Sequence, residues 1–300
     1  MPPLRTARPG RSRVYATIRR RSGAGLVSRP VEALRQIDSW PVELAAAGAV
    51  DTGGVLATRG PTDAVVRLAS VSKIVTALAT LVAAEEGVVD LDEPAGPPGS
   101  TVRHLLAHAS GLPFEGAVPL AAAGRRRIYS NEGFSVLAEH VAVAAAMPFD
   151  VYAHAAVVEP LGIGLRTTGH PGAGMHACLD DMLALGRELL APTLVARETL
   201  DEATAVQFPG LKGVLPGFGR CDPLDWGLGF DLRDAKAPYW MGTRNSPRAF
   251  GHFGGSGTFL WVDPDAGLAC AALTTREFDD WAKSAWPRLS DAVLAEAATA

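Results

Sequence analysis

The sequence predicts an α/β (α+β) fold, in which an antiparallel sheet is flanked by helices and interrupted by a mostly helical insertion. Strand-like patterns lie near both ends, at residues 46–58 and again beyond residue 224. Patterns with helical periodicity fill the chain between them. A single sheet built from both ends of the chain, with the helices inserted between its strands, accounts for this order.

The first elements are predicted from apolar spacing and turn residues. Residues 30–37 are typical of a short amphipathic helix, and residues 46–58 predict two strands around the turn Asp51-Thr52-Gly53-Gly54. A longer helix follows and ends at Gly87. One apolar stripe defines this helix: Ile74, Val75, Leu78, Leu81 and Val82.

The middle of the chain is predicted to be helical. Thr101 is a suitable N-cap for a helix that ends at Gly111. Further helices are predicted at residues 132–146, 151–158, 178–190 and 197–206. Beyond residue 224 the pattern changes, and strands are predicted at 226–230, 257–263 and 267–275, before a last helix at 288–298.

Charge divides the chain into two parts. The first 30 residues contain eight arginines and no acidic residue, so the remaining chain has 20 basic and 32 acidic residues, a net charge of −12. We predict that residues 1–30 are a disordered basic extension. Residues 31–300 are predicted to form a single catalytic unit, with a sheet part at 31–69 and 206–300 and a helical part at 70–205.

Cysteine usage and hydropathy exclude several classes of protein. The three cysteines are far apart and form no C-x-x-C pair, so neither a disulfide framework nor a zinc cluster is expected. No run of about 18 apolar residues predicts a membrane span. The N-terminal arginines precede no apolar run typical of a signal peptide, and we expect a cytoplasmic protein. The acidic body argues against a nucleic-acid binder.

Ser70 and Lys73 stand three residues apart at the start of the predicted helix. Residues at i and i+3 of a helix share a face, with Cβ atoms about 5–6 Å apart, so the lysine can reach the serine hydroxyl. A serine hydroxyl is a weak nucleophile until a base takes its proton, and a buried lysine with a lowered pKa can be that base. The alternative hypothesis is that Ser70 is only the N-cap of the helix.

Two other stretches carry candidate site residues. Tyr129, Ser130 and Asn131 precede the helix predicted at 132–146, which Ser130 or Asn131 is expected to cap. His252 lies in the glycine-rich strand entry at 250–263, and glycine within a strand often marks the close approach of a ligand, with a bulge or a tight turn as the alternative.

Together these stretches resemble the serine β-lactamase-like family, which includes class C β-lactamases, D-alanyl-D-alanine peptidases and related carboxylesterases. The motifs Ser70-Val-Ser-Lys73, Tyr129-Ser-Asn131 and His252-Phe-Gly254 occur in the order of that family. The stretch at 101–113, TVRHLLAHASGLP, also resembles the family's helix after the nucleophile. The resemblance runs from about residue 31 to residue 298 and implies a β-lactamase/transpeptidase-like fold.

The resemblance also implies roles for the site residues. Ser70 would be the acylated nucleophile, Lys73 would hold and help to deprotonate it, and Tyr129 would act with Lys73 as general base before protonating the leaving group. That role requires the Lys73 cation to lower the pKa of Tyr129.

The remaining roles concern substrate binding. Asn131 would orient Lys73 or bind the acyl portion, and His252 would stand where relatives usually have lysine. Gly254 and Gly255 would line the substrate site, with the backbone N–H groups of Ser70 and Gly255 as the oxyanion hole. The implied substrate is a small-molecule ester or amide, and no cofactor or metal is implied.

Three departures from the family pattern, in the third motif, in the segment at 113–125 and in the lack of an export signal, favour an ester over a β-lactam or a peptide. His252 replaces a fixed lysine charge with a mostly neutral imidazole. Phe253 replaces a threonine whose hydroxyl, in relatives, faces a substrate carboxylate. The segment at 113–125 is short, which implies a more open cleft, and no export signal is evident. We therefore expect a carboxylesterase first, and a weak β-lactamase or D-amino-acid peptidase as the alternative.

Other functions remain as alternatives. His104 and His108 stand four apart in a predicted helix and form a possible metal-ligand pair, although no glutamate follows His104. A G-x-S-x-G motif, which an α/β-hydrolase needs, is absent from the sequence. A non-catalytic binding protein on the same fold is the third alternative.

Overall fold

The computed structural model describes residues 31–298. The predicted basic extension at residues 1–30 lies outside the described residues. Ten strands and nine α-helices are formed within the described part of the chain.

A six-stranded antiparallel sheet forms the centre of the molecule, and two short strand pairs lie outside it. In chain order the strands are β1 (Ala45–Asp51), β2 (Gly54–Arg59), β3 (Val66–Arg67), β4 (His176–Ala177), β5 (Gly213–Leu215), β6 (Gly219–Cys221), β7 (Asp231–Leu232), β8 (Phe250–Gly254), β9 (Thr258–Asp263) and β10 (Leu268–Thr274). The sheet order is β2-β1-β10-β9-β8-β7, while β3 pairs with β4 and β5 with β6. The sheet therefore joins strands from both ends of the described chain, as predicted.

Helices cover both faces of this sheet and fill the chain between β2 and β7. They are α1 (Val31–Leu34), α2 (Ser72–Glu85), α3 (Val102–Leu106), α4 (Asn131–Ala145), α5 (Phe149–Ala153), α6 (Glu159–Leu161), α7 (Leu179–Leu190), α8 (Arg197–Ala203) and α9 (Asp280–Ala297). Short 3-10 helices at Arg35–Ser39 and Ala69–Val71 and a π-helix at His154–Val158 complete the set.

The sheet is buried on both faces because its strands alternate side chains between two hydrophobic clusters. In β9, Leu260 and Val262 join the cluster that contains α2 and α7, whereas Phe259 and Trp261 join the cluster that contains α9. Close packing of α7 on the sheet depends on Gly186, since a Cβ there would lie 3.0 Å from Ala269 Cβ. The α+β prediction is confirmed.

Three predicted elements differ from the structure. Residues 226–230 are not a strand, because Gly229 has a φ of +85° and the chain turns before β7. The last helix begins eight residues earlier than predicted and contains Pro287 within it. The helix capped by Thr101 ends at Leu106 instead of Gly111.

A buried arginine anchors the chain just before the predicted site residue Tyr129. Arg127 is 1% exposed, and its guanidinium donates to four backbone carbonyl groups. These carbonyls belong to Ala107, Gln207, Phe208 and Leu224. The backbone N–H of Arg127 also donates to Lys212 O at 2.9 Å, which fixes the segment beside β5.

A helix that spans a membrane must be long enough and apolar enough to cross it. Within residues 31–298 no single helix meets that requirement. One pair, Asn131–Ala145 and Phe149–Leu161, meets it together, with a bend of 83° between the two parts.

We expect Arg127→Met to destabilise the protein by on the order of 3 kcal/mol, because several buried carbonyl groups would lose their donor. The exposed neighbour Arg125 provides a matched control, and Arg125→Met should change stability by less than about 0.5 kcal/mol. Urea unfolding of the three proteins measures the difference. Equal midpoints for the two variants would contradict the anchoring role of Arg127.

Candidate active site

Ser70 lies in the 3-10 helix Ala69–Val71, directly before α2, and it lines the cleft beside this helix. Ala69 has a φ of +45°, a left-handed conformation that is costly for a residue other than glycine. The Ser72 hydroxyl donates to Ala69 O at 2.6 Å and holds this turn. The Ser70 hydroxyl does not cap the helix, so the N-cap hypothesis is wrong.

Strand β8 supports the Ser70 turn through a close backbone approach. A Cβ on Gly254 would lie only 2.2 Å from Leu68 O, and the Thr258 hydroxyl donates to the same oxygen at 2.8 Å. Gly254 therefore brings β8 against the segment that precedes Ser70. Gly255, the next residue, faces open space and lines the cleft.

Lys73 is fully buried near the start of α2 and contacts three elements. Its Nζ lies 3.5 Å from Ser70 Oγ, and it donates to Asn131 Oδ1 at 2.6 Å and to Gly172 O at 2.8 Å. No carboxylate among residues 31–298 pairs with the Lys73 amine, and burial holds the pKa of Lys73 well below its usual value. The predicted contact between Asn131 and Lys73 is thus present in the structure.

Gly172 is a site residue that the sequence analysis did not find. It lies in the loop between α6 and β4, and its N–H donates to His170 Nδ1 at 3.0 Å, which shapes the loop. A Cβ on Gly172 would lie 3.3 Å from Lys73 Nζ. The GHPGAG stretch at 169–174, rich in glycine, is the signal that could have indicated a close backbone approach.

Tyr129 and His252 complete the group around Ser70. The Tyr129 hydroxyl lies 3.4 Å from His252 Nε2, and the Ser70 side chain lies beside it. His252 Nδ1 lies 2.7 Å from Phe253 O, and because a carbonyl only accepts, Nδ1 carries the proton. The neutral ring then leaves Nε2 as an acceptor, so Tyr129 donates its proton toward His252.

The pKa values around Ser70 differ from one sequence-based expectation. Burial raises the pKa of Tyr129 above its usual value, although the neighbouring Ser70 side chain opposes this rise. The expectation that the Lys73 cation lowers the pKa of Tyr129 is therefore wrong, because the buried lysine itself favours its neutral form. Burial also lowers the pKa of His252 to about 3, which leaves its imidazole neutral at pH 7.

The Phe253 ring does not occupy the cleft. It is 7% exposed and packs on the opposite side of β8, with its centroid 4.8 Å from that of Phe278 and 6.1 Å from that of Trp286. Alternation along a strand explains this position, since His252 points to Tyr129 and the next side chain points away. Phe253 therefore lacks the hydroxyl that threonine provides at this position in relatives, and its ring does not fill the cleft.

His104 and His108 have separate environments. His104 Nδ1 contacts the Thr101 hydroxyl at 2.9 Å, while His108 Nδ1 accepts from the backbone N–H of Ser130 at 3.1 Å. The buried His108 ring also packs on Tyr129, 4.5 Å between centroids. No group of three or more potential metal ligands occurs among residues 31–298. His108 is therefore a support for the Tyr129 segment, and Ser130 is the N-cap of α4.

The cleft above Ser70 has a volume of about 620 Å³. Ser70, Asn131 and Gly255 all line it, so the structure brings residues of three predicted motifs to one surface. The charged residues in its lining are Arg67 and Glu277, which balance each other. The oxyanion hole at the N–H groups of Ser70 and Gly255 stays a prediction.

Comparison with known proteins identifies the family. The sequence profile of the family described as Beta-lactamase matches residues 42–294. The chain therefore belongs to the β-lactamase family, a family of serine hydrolases. A search of curated proteins found no match.

Solved structures agree with this assignment. A crystal structure described as a β-lactamase (Mb2281c) from Mycobacterium bovis is 53% identical, covers 88% of this chain and 99% of its own, and has a TM-score of 0.87. The LovD6 mutant of simvastatin synthase from Aspergillus terreus is 19% identical, covers 93% of this chain and 100% of its own, and has a TM-score of 0.75.

A third structure, EstCE1, is described as a hydrolase with promiscuous acyltransferase activity. It is 19% identical, covers 89% of this chain and 97% of its own, and has a TM-score of 0.69. At this identity EstCE1 and LovD6 show the fold alone.

We expect Gly254→Ala to destabilise the protein by about 1–3 kcal/mol, because the added methyl group would meet the backbone oxygen of Leu68. Gly255→Ala is the matched control, since a Cβ there meets nothing within 4 Å. Thermal unfolding compares the two variants. A Gly254→Ala protein as stable as Gly255→Ala would refute the close approach between β8 and the Ser70 turn.

The lowered pKa of Lys73 predicts a pH dependence of stability. Between its folded pKa and the unfolded value of about 10.4, only the unfolded chain binds the proton, so stability rises with pH. As the pH rises toward 10, the free energy of unfolding of the wild type should therefore increase relative to Lys73→Met, by up to about 1.4 kcal/mol per pH unit. Denaturant unfolding at several pH values measures the difference, and a constant difference would contradict a lowered pKa.

Proposed function

We propose that the protein is a serine hydrolase that works through an acyl-enzyme on Ser70, and that its substrates are carboxylic esters of small or medium acyl chains. The hydrogen bonds of Lys73 carry this proposal. A neutral amine has two N–H donors and one lone pair. Asn131 Oδ1 and Gly172 O take the two donors, which leaves the lone pair for the Ser70 hydroxyl.

The first step is the attack of Ser70 on the ester carbonyl. Lys73 accepts the proton of the Ser70 hydroxyl as the bond from Oγ to the carbonyl carbon forms. The carbonyl oxygen gains negative charge, and the N–H groups of Ser70 and Gly255 are proposed to stabilise it. In other hydrolases one such donor contributes about 2.7–4 kcal/mol to transition-state stabilisation.

Tyr129 is proposed to protonate the leaving group. Its raised pKa keeps the phenol protonated at neutral pH, so it is better suited to donate a proton than to accept the first one. The departing alkoxide takes the Tyr129 proton as the bond from carbon to oxygen breaks. The Lys73 ammonium formed in the first step then returns its proton to the Tyr129 phenolate, whose ring centroid lies 4.7 Å from Lys73 Nζ. In the second half of the reaction a water molecule attacks the acyl carbon, and its proton passes to Tyr129 as Tyr129 passes one to Lys73. Lys73 then protonates Ser70 Oγ as the bond from Oγ to the acyl carbon breaks.

The charge of the cleft favours an ester over a β-lactam. His252 is neutral, Phe253 offers no hydroxyl to the cleft, and Arg67 and Glu277 offset each other. The Arg67 guanidinium also donates to Ala173 O at 3.2 Å. A carboxylate beside the scissile bond therefore meets neither a lysine at position 252 nor a threonine hydroxyl at position 253, whereas a neutral ester needs neither.

One observation favours a second candidate function. The structure from Mycobacterium bovis, 53% identical to this chain, is described as a β-lactamase. A weak β-lactamase or D-amino-acid peptidase activity is thus the alternative proposal, and a non-catalytic binding protein on this fold is the third.

The proposal is tested by labelling with a fluorophosphonate and by kinetics on p-nitrophenyl esters, nitrocefin and a D-alanyl-D-alanine peptide. We expect a single adduct on Ser70 and a higher kcat/KM for the esters. Ser70→Ala, Lys73→Ala and Tyr129→Phe should each lower kcat by at least about 10²-fold, because the three groups act as a unit.

The control is Ser284→Ala, which removes the hydroxyl of an exposed serine of α9. This variant should be labelled on Ser70 and should hydrolyse esters like the wild type. A higher kcat/KM for nitrocefin or the peptide than for the esters would contradict the esterase proposal and support the β-lactamase or peptidase alternative. If the fluorophosphonate did not label Ser70 in folded protein, the third proposal, a non-catalytic binding protein, would be favoured.

A further inference from the structure

An apolar groove extends from the catalytic tyrosine to a cationic pocket on the surface. The groove has a volume of about 330 Å³, and apolar side chains and Tyr129 line it: Phe114, Leu120, Ile128, Tyr129, Val214 and Pro216. Phe114, Leu120 and Val214 are 48%, 66% and 50% exposed. Such a group of exposed apolar side chains beside an active site indicates a ligand-binding surface.

The groove shares lining residues with two other depressions. Phe114 lines both the groove and the Ser70 cleft. Arg126 and Val214 line both the groove and a third pocket, with a volume of about 720 Å³. One ligand can therefore reach from Ser70 along the groove into this third pocket.

The third pocket is cationic, in contrast to the acidic body of the protein. Arg125, Arg126, Lys212 and Arg220 line it, with Asp222 as the acidic residue among them. Asp222 pairs with Lys212 at 2.6 Å. Within residues 31–298 the guanidinium groups of the three arginines form no ion pair, so three positive charges are free to bind an anion.

Backbone pairing fixes these charges relative to the groove. Val214 and Arg220 are directly opposite each other in the β5–β6 pair, so their side chains share a face. Arg126 lies three residues before Tyr129, and three residues of extended chain span at most about 11 Å. A flexible chain of medium length covers that distance.

We propose that the alcohol portion of the natural ester substrate is an alkyl chain that lies in this groove and ends in a carboxylate or phosphate, which binds Arg125, Arg126 and Arg220. The alcohol portion is assigned to the groove because Tyr129, the proposed proton donor to the leaving group, forms one end of it. This inference rests on the proposed function and adds the class of leaving group. Ser70 forms the bond to the acyl carbon, the bond from carbon to the alcohol oxygen breaks, and that oxygen takes the Tyr129 proton.

The test compares butyrate esters of 8-hydroxyoctanoate, 8-hydroxyoctyl phosphate and octan-1-ol at low ionic strength. We expect kcat/KM for the anionic esters to exceed that of the neutral ester about tenfold, and added salt should reduce this preference. In the double variant Arg126→Gln/Arg220→Gln the preference should fall toward one. The control is Arg288→Gln, which changes an exposed arginine of α9 and should retain the preference for anionic esters. The better of the two anionic esters shows whether carboxylate or phosphate is the natural group.

Calorimetry separates failure of this inference from failure of the proposed function. Octyl phosphate and octanoate are titrated into wild type, the double variant and Arg288→Gln, without any requirement for turnover. Binding about tenfold weaker in the double variant alone supports the anion subsite even if no ester is hydrolysed. The proposed anion subsite would be overturned by equal binding to the three proteins, or by equal kcat/KM for anionic and neutral esters.

Discussion

The burial of Lys73 without a carboxylate partner is the constraint on which the site depends. A buried amine of this kind favours its neutral form and needs acceptors for its hydrogen atoms. Asn131 at the start of α4 and the carbonyl of Gly172 in the loop before β4 supply them. Helix α2, helix α4 and this loop are therefore held together at one nitrogen atom, and their common arrangement directs the remaining lone pair to Ser70.

The rest of the site keeps this arrangement rigid. Ala69 adopts a left-handed conformation beside Ser70, and such strain persists only where the surroundings hold it. The close contact of Gly254 with Leu68 supports the Ser70 turn from one side. On the other side, Arg127 and His108 hold the segment that carries Tyr129, through carbonyl groups and the Ser130 N–H. Rigid supports of this kind preorganise a catalytic group before a substrate binds.

Much of this site followed from the sequence, because local spacing determines it. Ser70 and Lys73 share a helical face, and the polar run that begins at Tyr129 precedes an evident helix. Gly172 was missed because its contribution is a backbone carbonyl, which no side-chain pattern reveals. The position of Phe253 was predictable from strand alternation once His252 was placed in the cleft. The strand predicted at 226–230 was wrong because its glycines form a turn.

The sheet order has a consequence for biosynthesis. Strand β1 pairs with β10, and the Leu68 carbonyl pairs with Thr258, 190 positions further along the chain. Closing the long loops of such non-local pairings has a large entropic cost, so these pairings form slowly. During translation β1 and β2 leave the ribosome long before their partner exists, so they expose an unpaired edge throughout synthesis of the helical insertion. Ser70, the proposed nucleophile, thus acquires its final environment only after nearly the whole chain has been made, so the proposed activity has to wait until folding is complete.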